Sequence, residues 1–81
     1  MTLVETIQRC ALTHRRGERM AASELLVEII DGLQSVMALE QSSVRHERFG
    51  AIIETITAAQ QRGDVIAIAD ALEYELAPLL A

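Results

Sequence analysis

The chain is poor in the residues from which most chemical sites are built. Cys10 is its only cysteine, so no internal disulfide can form, and a lone thiol agrees with a reducing compartment. Its four glycines never cluster into the loops that carry a nucleophile or cradle a phosphate. Tryptophan is absent, which leaves Phe49 and Tyr74 as the only aromatic side chains. No apolar run approaches the roughly eighteen residues of a membrane span. The opening MTLVETIQRC also lacks the basic and then apolar layout of a signal peptide, so the expected location is cytoplasmic. Positive charge is scarce too. A formal charge of −5 argues against nucleic acid and anionic membrane as partners, because both reward a concentrated basic surface. Strand alternation, internal repeats and low-complexity linkers are missing throughout.

What is present is apolar residues at helical spacing, in a single domain over residues 1–81. In the stretch from Glu24 to Leu39, Leu25, Leu26, Ile29, Ile30, Leu33, Val36 and Met37 share one face, with Glu24, Glu28, Asp31 and Ser35 opposite. That arc covers about half of the helix, wider than a coiled-coil seam, and predicts a central element with more than one neighbour. Gly32 lies at the edge of the arc, as an opening for another helix or as a weak spot that the helix tolerates.

The remaining helices follow from their ends. Thr2 and Glu5 have capping-box spacing and start a first helix whose face is Leu3, Val4, Ile7, Cys10 and Ala11, with His14 next in line. Arg15, Arg16 and Gly17 read as its C-terminus, cations before a left-handed glycine. Ser42 or Ser43 can cap a third helix with Phe49, Ile52, Ile53, Ile56 and Ala59 on one side. Arg62, Gly63 and Asp64 then read as last-turn cation, turn glycine and next N-cap. The same tripeptide matches a cell-adhesion sequence, but a junction between helices in a chain without a secretion layout favours the turn. A last helix carries Val65, Ile68, Ala69, Leu72, Leu76 and Leu79, with Pro78 expected to loosen it at Ala77. The prediction is an all-α, small antiparallel bundle of four helices at about 2–16, 18–41, 43–62 and 64–80, or of three if the first two run together.

Function is less legible. Assigning one buried stripe per helix leaves Leu12, Val27, Ile66 and Tyr74 outside, a second apolar surface for self-association or for another protein. Tyr74, aromatic with a polar tip, suits an interface centre. The expected function is therefore a non-enzymatic protein-interaction module, most simply a homodimer, with no cofactor. The alternative is a metal or redox sensor centred on Cys10 and His14, which are four residues apart and so share a helix face. A closed zinc site needs two more ligands, and His46 and Glu47 reach it only through tertiary folding or a dimer axis. Arg15, Arg16 and Arg19 form the one basic cluster, while Asp70, Glu73 and Glu75 make the last helix acidic. The two regions are complementary across a contact between subunits. The carboxylates of that helix spread around it and suggest neither a catalytic pair nor a calcium site. In size, acidity and helical hairpins the chain resembles small bacterial adaptor and export-chaperone proteins as a class, a likeness carried by no motif.

Overall fold

Four helices account for the chain in a computed structural model of residues 1–81. Helices α1 (Leu3–Arg15), α2 (Arg19–Leu39) and α3 (Ser43–Arg62) are regular. The fourth, α4, covers residues 65–80 and consists of an α-helical start (Val65–Asp70), a widened π-helical turn (Ala71–Leu76) and a short α-helical end (Ala77–Leu80). The break at Gly17 is present, so the two-in-one alternative for the first helices falls away.

Local chemistry sets these boundaries. The Thr2 hydroxyl accepts from the Glu5 N–H at 3.1 Å, and the Glu5 carboxylate accepts from the Thr2 N–H at 3.3 Å. The Thr2 N–H, first, and the Thr2 hydroxyl, which donates to the same carboxylate at 3.0 Å, hold the Glu5 carboxyl below its usual 4.5. The cap is therefore fully formed above that pH and is lost as pH falls through the lowered value. At the other end of α1, Gly17 adopts φ 74°, the Gly17 N–H bonds the His14 carbonyl and the Glu18 N–H bonds that of Thr13. The α3–α4 junction repeats this geometry: Gly63 has φ 70°, its N–H reaches Gln60, and the Asp64 N–H reaches Ala59. Both are six-to-one and five-to-two turns that satisfy the last carbonyls of a helix. Asp64 then accepts from the Ala67 N–H at 3.0 Å and pairs with Arg62 at 3.5 Å, so the Arg-Gly-Asp segment is used up in the turn itself.

The α2–α3 connection works differently. Ser42 caps α3 by accepting from the Arg45 N–H. Glu40 accepts from the Ser42 N–H at 3.0 Å and from Arg45 Nε at 2.8 Å, which holds its carboxyl below the usual range. His46 Nε2 bonds the Met37 carbonyl at 2.9 Å, tying the start of α3 to the end of α2.

The core holds Ile7, Cys10 and Ala11 of α1, Leu26, Ile29 and Leu33 of α2, Phe49, Ile52 and Ile56 of α3, and Ile68, Leu72 and Leu76 of α4. Each large member contributes about 1.5–3 kcal/mol by leaving water. The backbones of α1 and α2 run close together, as do those of α1 and α4 and of α3 and α4, whereas α2 and α3 scarcely approach one another. The up-down-up-down bundle thus has three closed seams and one open one. This corrects the expectation that α2 is the central element. The centre belongs to α1 and α4, where the buried Ala11, Ala69, Ala71 and Ala77 are small enough for close approach, while Cys10 packs toward Ala22 of α2. The broad arc of α2 is left half-covered at Leu25, Ile30, Val36 and Met37.

Pro78 also acts one turn earlier than its position suggests. Its missing N–H and its ring disfavour an α turn closing on Tyr74, and the chain widens over Ala71–Leu76, with the Ala77 N–H bonded to the Leu72 carbonyl five residues back. Regular helix resumes at Ala77, where loosening was expected.

Two glycines lead to opposite predictions. A Cβ on Gly32 would lie 2.9 Å from Leu3 Cδ1, the mobile tip of a half-buried side chain, so Gly32 does admit α1. Alanine there gains about 1 kcal/mol of helix propensity against a small shift of Leu3. We expect Gly32→Ala to raise stability by somewhat under ~1 kcal/mol and Gly17→Ala, at positive φ, to lower it by about 1 kcal/mol, both read from urea denaturation midpoints.

Candidate protein-binding surfaces

Leu12, Val27, Ile66 and Tyr74 are all exposed, at 46, 62, 52 and 66 % of their full surface, so none is absorbed by the core. The structure divides them between two places. Three belong to the outer face of α1 and α4, where Arg15 is the hub. Its guanidinium donates to Asp70 at 3.0 Å and to Glu73 at 3.4 Å, and lies 5.8 Å from the centre of the Tyr74 ring. Leu12 precedes Arg15 by one turn of α1, and Ile66 precedes Asp70 by one turn of α4, so both flank the same cluster.

Its hydrogen bond to Asp70, first, and the Glu73 charge keep the Arg15 guanidinium above its ordinary range. Glu73, by hydrogen bonding and charge, likewise pushes the Tyr74 phenol above its usual 10. The phenol therefore keeps its proton at neutral pH and can donate. Exposed ion pairs of this kind add little stability, but they fix the orientation of the cluster. They also correct one expectation. Arg15 finds its acidic partners on α4 of its own chain, so its charge complementarity with Asp70 and Glu73 joins helices within one molecule. Arg16 and Arg19 form no ion pair.

Val27 lies elsewhere, in the open seam between α2 and α3. A cleft of about 320 Å³ is lined there by Leu26, Val27, Ile30 and Asp31 of α2 and by Gln60 of α3. Ile30 was expected in the core and is instead a half-exposed wall of this cleft. Met20, one heptad before Val27, is exposed at 81 % on the same line of the helix. Assigning a fixed arc to the core hid Ile30, while Met20 was legible in the seven-residue spacing. Leu39 and Val44, at the hairpin between α2 and α3, are exposed as well.

Cys10 and His14 do come together, in an arrangement that suits packing better than chemistry. His14 Nδ1 lies 2.9 Å from the Cys10 carbonyl, which can only accept, so the ring proton sits on Nδ1. Cys10 Sγ is 3.5 Å from that same nitrogen and 3.5 Å from the Ala22 carbonyl. A metal held by Sγ and His14 would need Nδ1 to give up its proton and its bond. His14's other nitrogen, Nε2, has no hydrogen-bond partner, and the residue lines a cleft of about 230 Å³ between the Gly17 and Gly63 turns, with Glu18, Arg19, Ser23 and Gln60. His46 is engaged at Met37, and no group of three His, Cys, Asp or Glu residues converges anywhere.

Burial pushes the Cys10 thiol up to about 11, far from the thiolate that metal binding or redox exchange requires. Its reactivity then depends on unfolding. We expect Cys10 to resist a thiol-reactive disulfide reagent at pH 8 in the native protein and to react fully in denaturant. Stoichiometric labelling within seconds under native conditions would contradict this environment.

No helix is long and apolar enough to cross a membrane. Neither a curated protein nor a solved structure matches the chain. One family model does, over residues 1–81, and by that match the chain belongs to the family described as a domain of unknown function (DUF8042).

Proposed function

We propose that this domain is a non-enzymatic protein-interaction module, adaptor-like or chaperone-like, that associates with a second copy of itself through the α1/α4 face. The supporting observation is the cluster there: Leu12, Ile66 and Tyr74, each about half exposed or more, gathered around an Arg15 whose orientation two carboxylates fix. Apolar contact area beside an ordered arginine and an exposed tyrosine ring is the composition of interface centres. An 81-residue chain also gains from association, because a core of this size leaves little surplus stability. A catalytic reading finds less support, since the one buried thiol is protonated and its histidine neighbour is committed to a backbone carbonyl.

Light scattering of the purified protein across a range of concentrations tests the proposal. The expected result is a dimer that chelator and reductant leave unchanged. Tyr74→Asp adds a third carboxylate beside Asp70 and Glu73 and should weaken association at least about tenfold, whereas Cys10→Ser should leave it intact. A wild-type monomer at every concentration, or a dimer lost with Cys10→Ser and kept with Tyr74→Asp, would overturn the proposal.

A further inference from the structure

The open seam between α2 and α3 is a different surface, and its chemistry points to a different occupant. Val27 and Ile30 of α2 and Gln60 of α3 line the cleft, and Met37 and Ile53 stand one heptad from Ile30 and from Gln60 on the same helix lines. Ile30, Met37 and Ile53 are each half-buried, and Met37 and Ile53 pack against the core. Between the separated backbones of α2 and α3 the cleft exposes Leu26, Val27 and Ile30, apolar surface against which another helix can be laid. From Ser23 to Asp31 the α2 wall of the cleft is about 12 Å long, and the heptad line to Met37 extends it to about 21 Å, roughly four turns of a docked helix.

The charge around this floor selects the partner. Between Met20 and Leu39, α2 carries Glu24, Glu28 and Asp31 and no basic residue. None of the three forms an ion pair. Asp31 lines the cleft, and Glu24 borders a shallow hollow beside it with Met20. Gln60, the α3 residue that lines the cleft, is uncharged, and Arg19, which borders the hollow with Glu24, is the one cation at this rim and forms no ion pair. A second copy, itself at −5, would bring acidic α2 surface toward acidic α2 surface, which costs association energy. A helix with an apolar stripe flanked by lysine or arginine fills the floor and pairs with the rim at once. We propose that the α2/α3 seam binds a basic amphipathic helix of another protein. This rests on the interaction-module reading but uses a face separate from the Tyr74 cluster.

The test uses two fluorescein-labelled sixteen-residue peptides of the same leucine spacing, one with lysine and one with glutamate at the remaining positions, titrated into the full chain and followed by anisotropy. The lysine peptide is expected to bind and the glutamate peptide to fail. Reversing the rim with Glu24→Lys and Asp31→Lys together, both exposed and so harmless to folding, should weaken the lysine peptide about tenfold or more and invert the preference. Tyr74→Asp should leave peptide affinity unchanged, and amide shifts on binding should fall at residues 23–37 and 53–60. Lysine-peptide binding that survives the double reversal, shifts centred on α1 and α4, or no binding at all would overturn the seam proposal. Loss of the wild-type dimer on Ile30→Asp would also overturn it, by assigning the seam to a second copy. A dimer lost with Tyr74→Asp in a protein that binds no peptide would sink the seam alone and leave the proposed function standing. A monomer that binds no peptide would remove both.

Discussion

The close approach of α1 to α4 is the constraint on which the other contacts depend. A thirteen-residue helix is marginal in isolation, because helix nucleation is costly and each added residue gains little. In α1 that deficit is met by enclosure: Ile7, Cys10 and Ala11 have no exposed surface at all. Enclosure on two sides is possible because the side chains between α1 and α4 are small. Once these two helices are in contact, the three-residue turn at Gly17 and the two-residue turn at Gly63 make α2 and α3 fold back along their flanks. The glycine turns fix direction, and the packing of α1 on α4 fixes position.

How much of this the sequence discloses depends on the range of the interaction. The caps at Thr2, Ser42 and Asp64 and the turns at Gly17 and Gly63 are written within five residues of themselves, and the chain adopts them where the pattern predicts. The helix faces are equally local, since a period of 3.6 residues identifies the buried stripe without knowledge of what covers it. Which helix is central is a different kind of fact. It depends on how near two backbones can come, and alanines that look unremarkable in a hydrophobic pattern, such as Ala11 and Ala69, decide it. The π turn of α4 is intermediate. Pro78 signals a disturbance, but its placement over Ala71–Leu76 depends on Leu72 and Leu76 both remaining buried, which is settled by the core and not by the proline.

The candidate surfaces show the same division. Exposure of Leu12, Val27, Ile66 and Tyr74 follows from helical periodicity alone. That three of them gather at one place follows from Arg15 reaching two carboxylates more than fifty residues away, and no local pattern carries that. Ile30 illustrates the converse. Its spacing from Leu26 and Leu33 marks it as core, yet it is half exposed because the helix that should have covered it, α3, stands apart. The pairing of Cys10 with His14 was legible as a contact and illegible as chemistry. Only the position of the proton on Nδ1, dictated by a carbonyl that can do nothing but accept, turns an apparent ligand pair into a packing arrangement.

An open seam in so small a domain has an energetic consequence. Closing it would bury the exposed parts of Ile30, Met37 and Ile53, and each side chain carries a gain on the order of 1 kcal/mol at about 25 cal/mol per Å². A chain of 81 residues has few such gains in reserve, since stability for a domain of this size amounts to several kcal/mol at most. The α2–α3 hairpin holds the seam open at its base, where Glu40 binds both Arg45 and the Ser42 N–H and His46 binds Met37. At the opposite end, α2 and α3 are each bound to a different central helix through a glycine turn. Closing the seam would mean separating α1 from α4, whose fully buried Ile7, Leu72 and Leu76 are worth more than three half-buried side chains return. The seam is therefore a fixed feature of this topology and presents its apolar floor and acidic rim as an already formed surface.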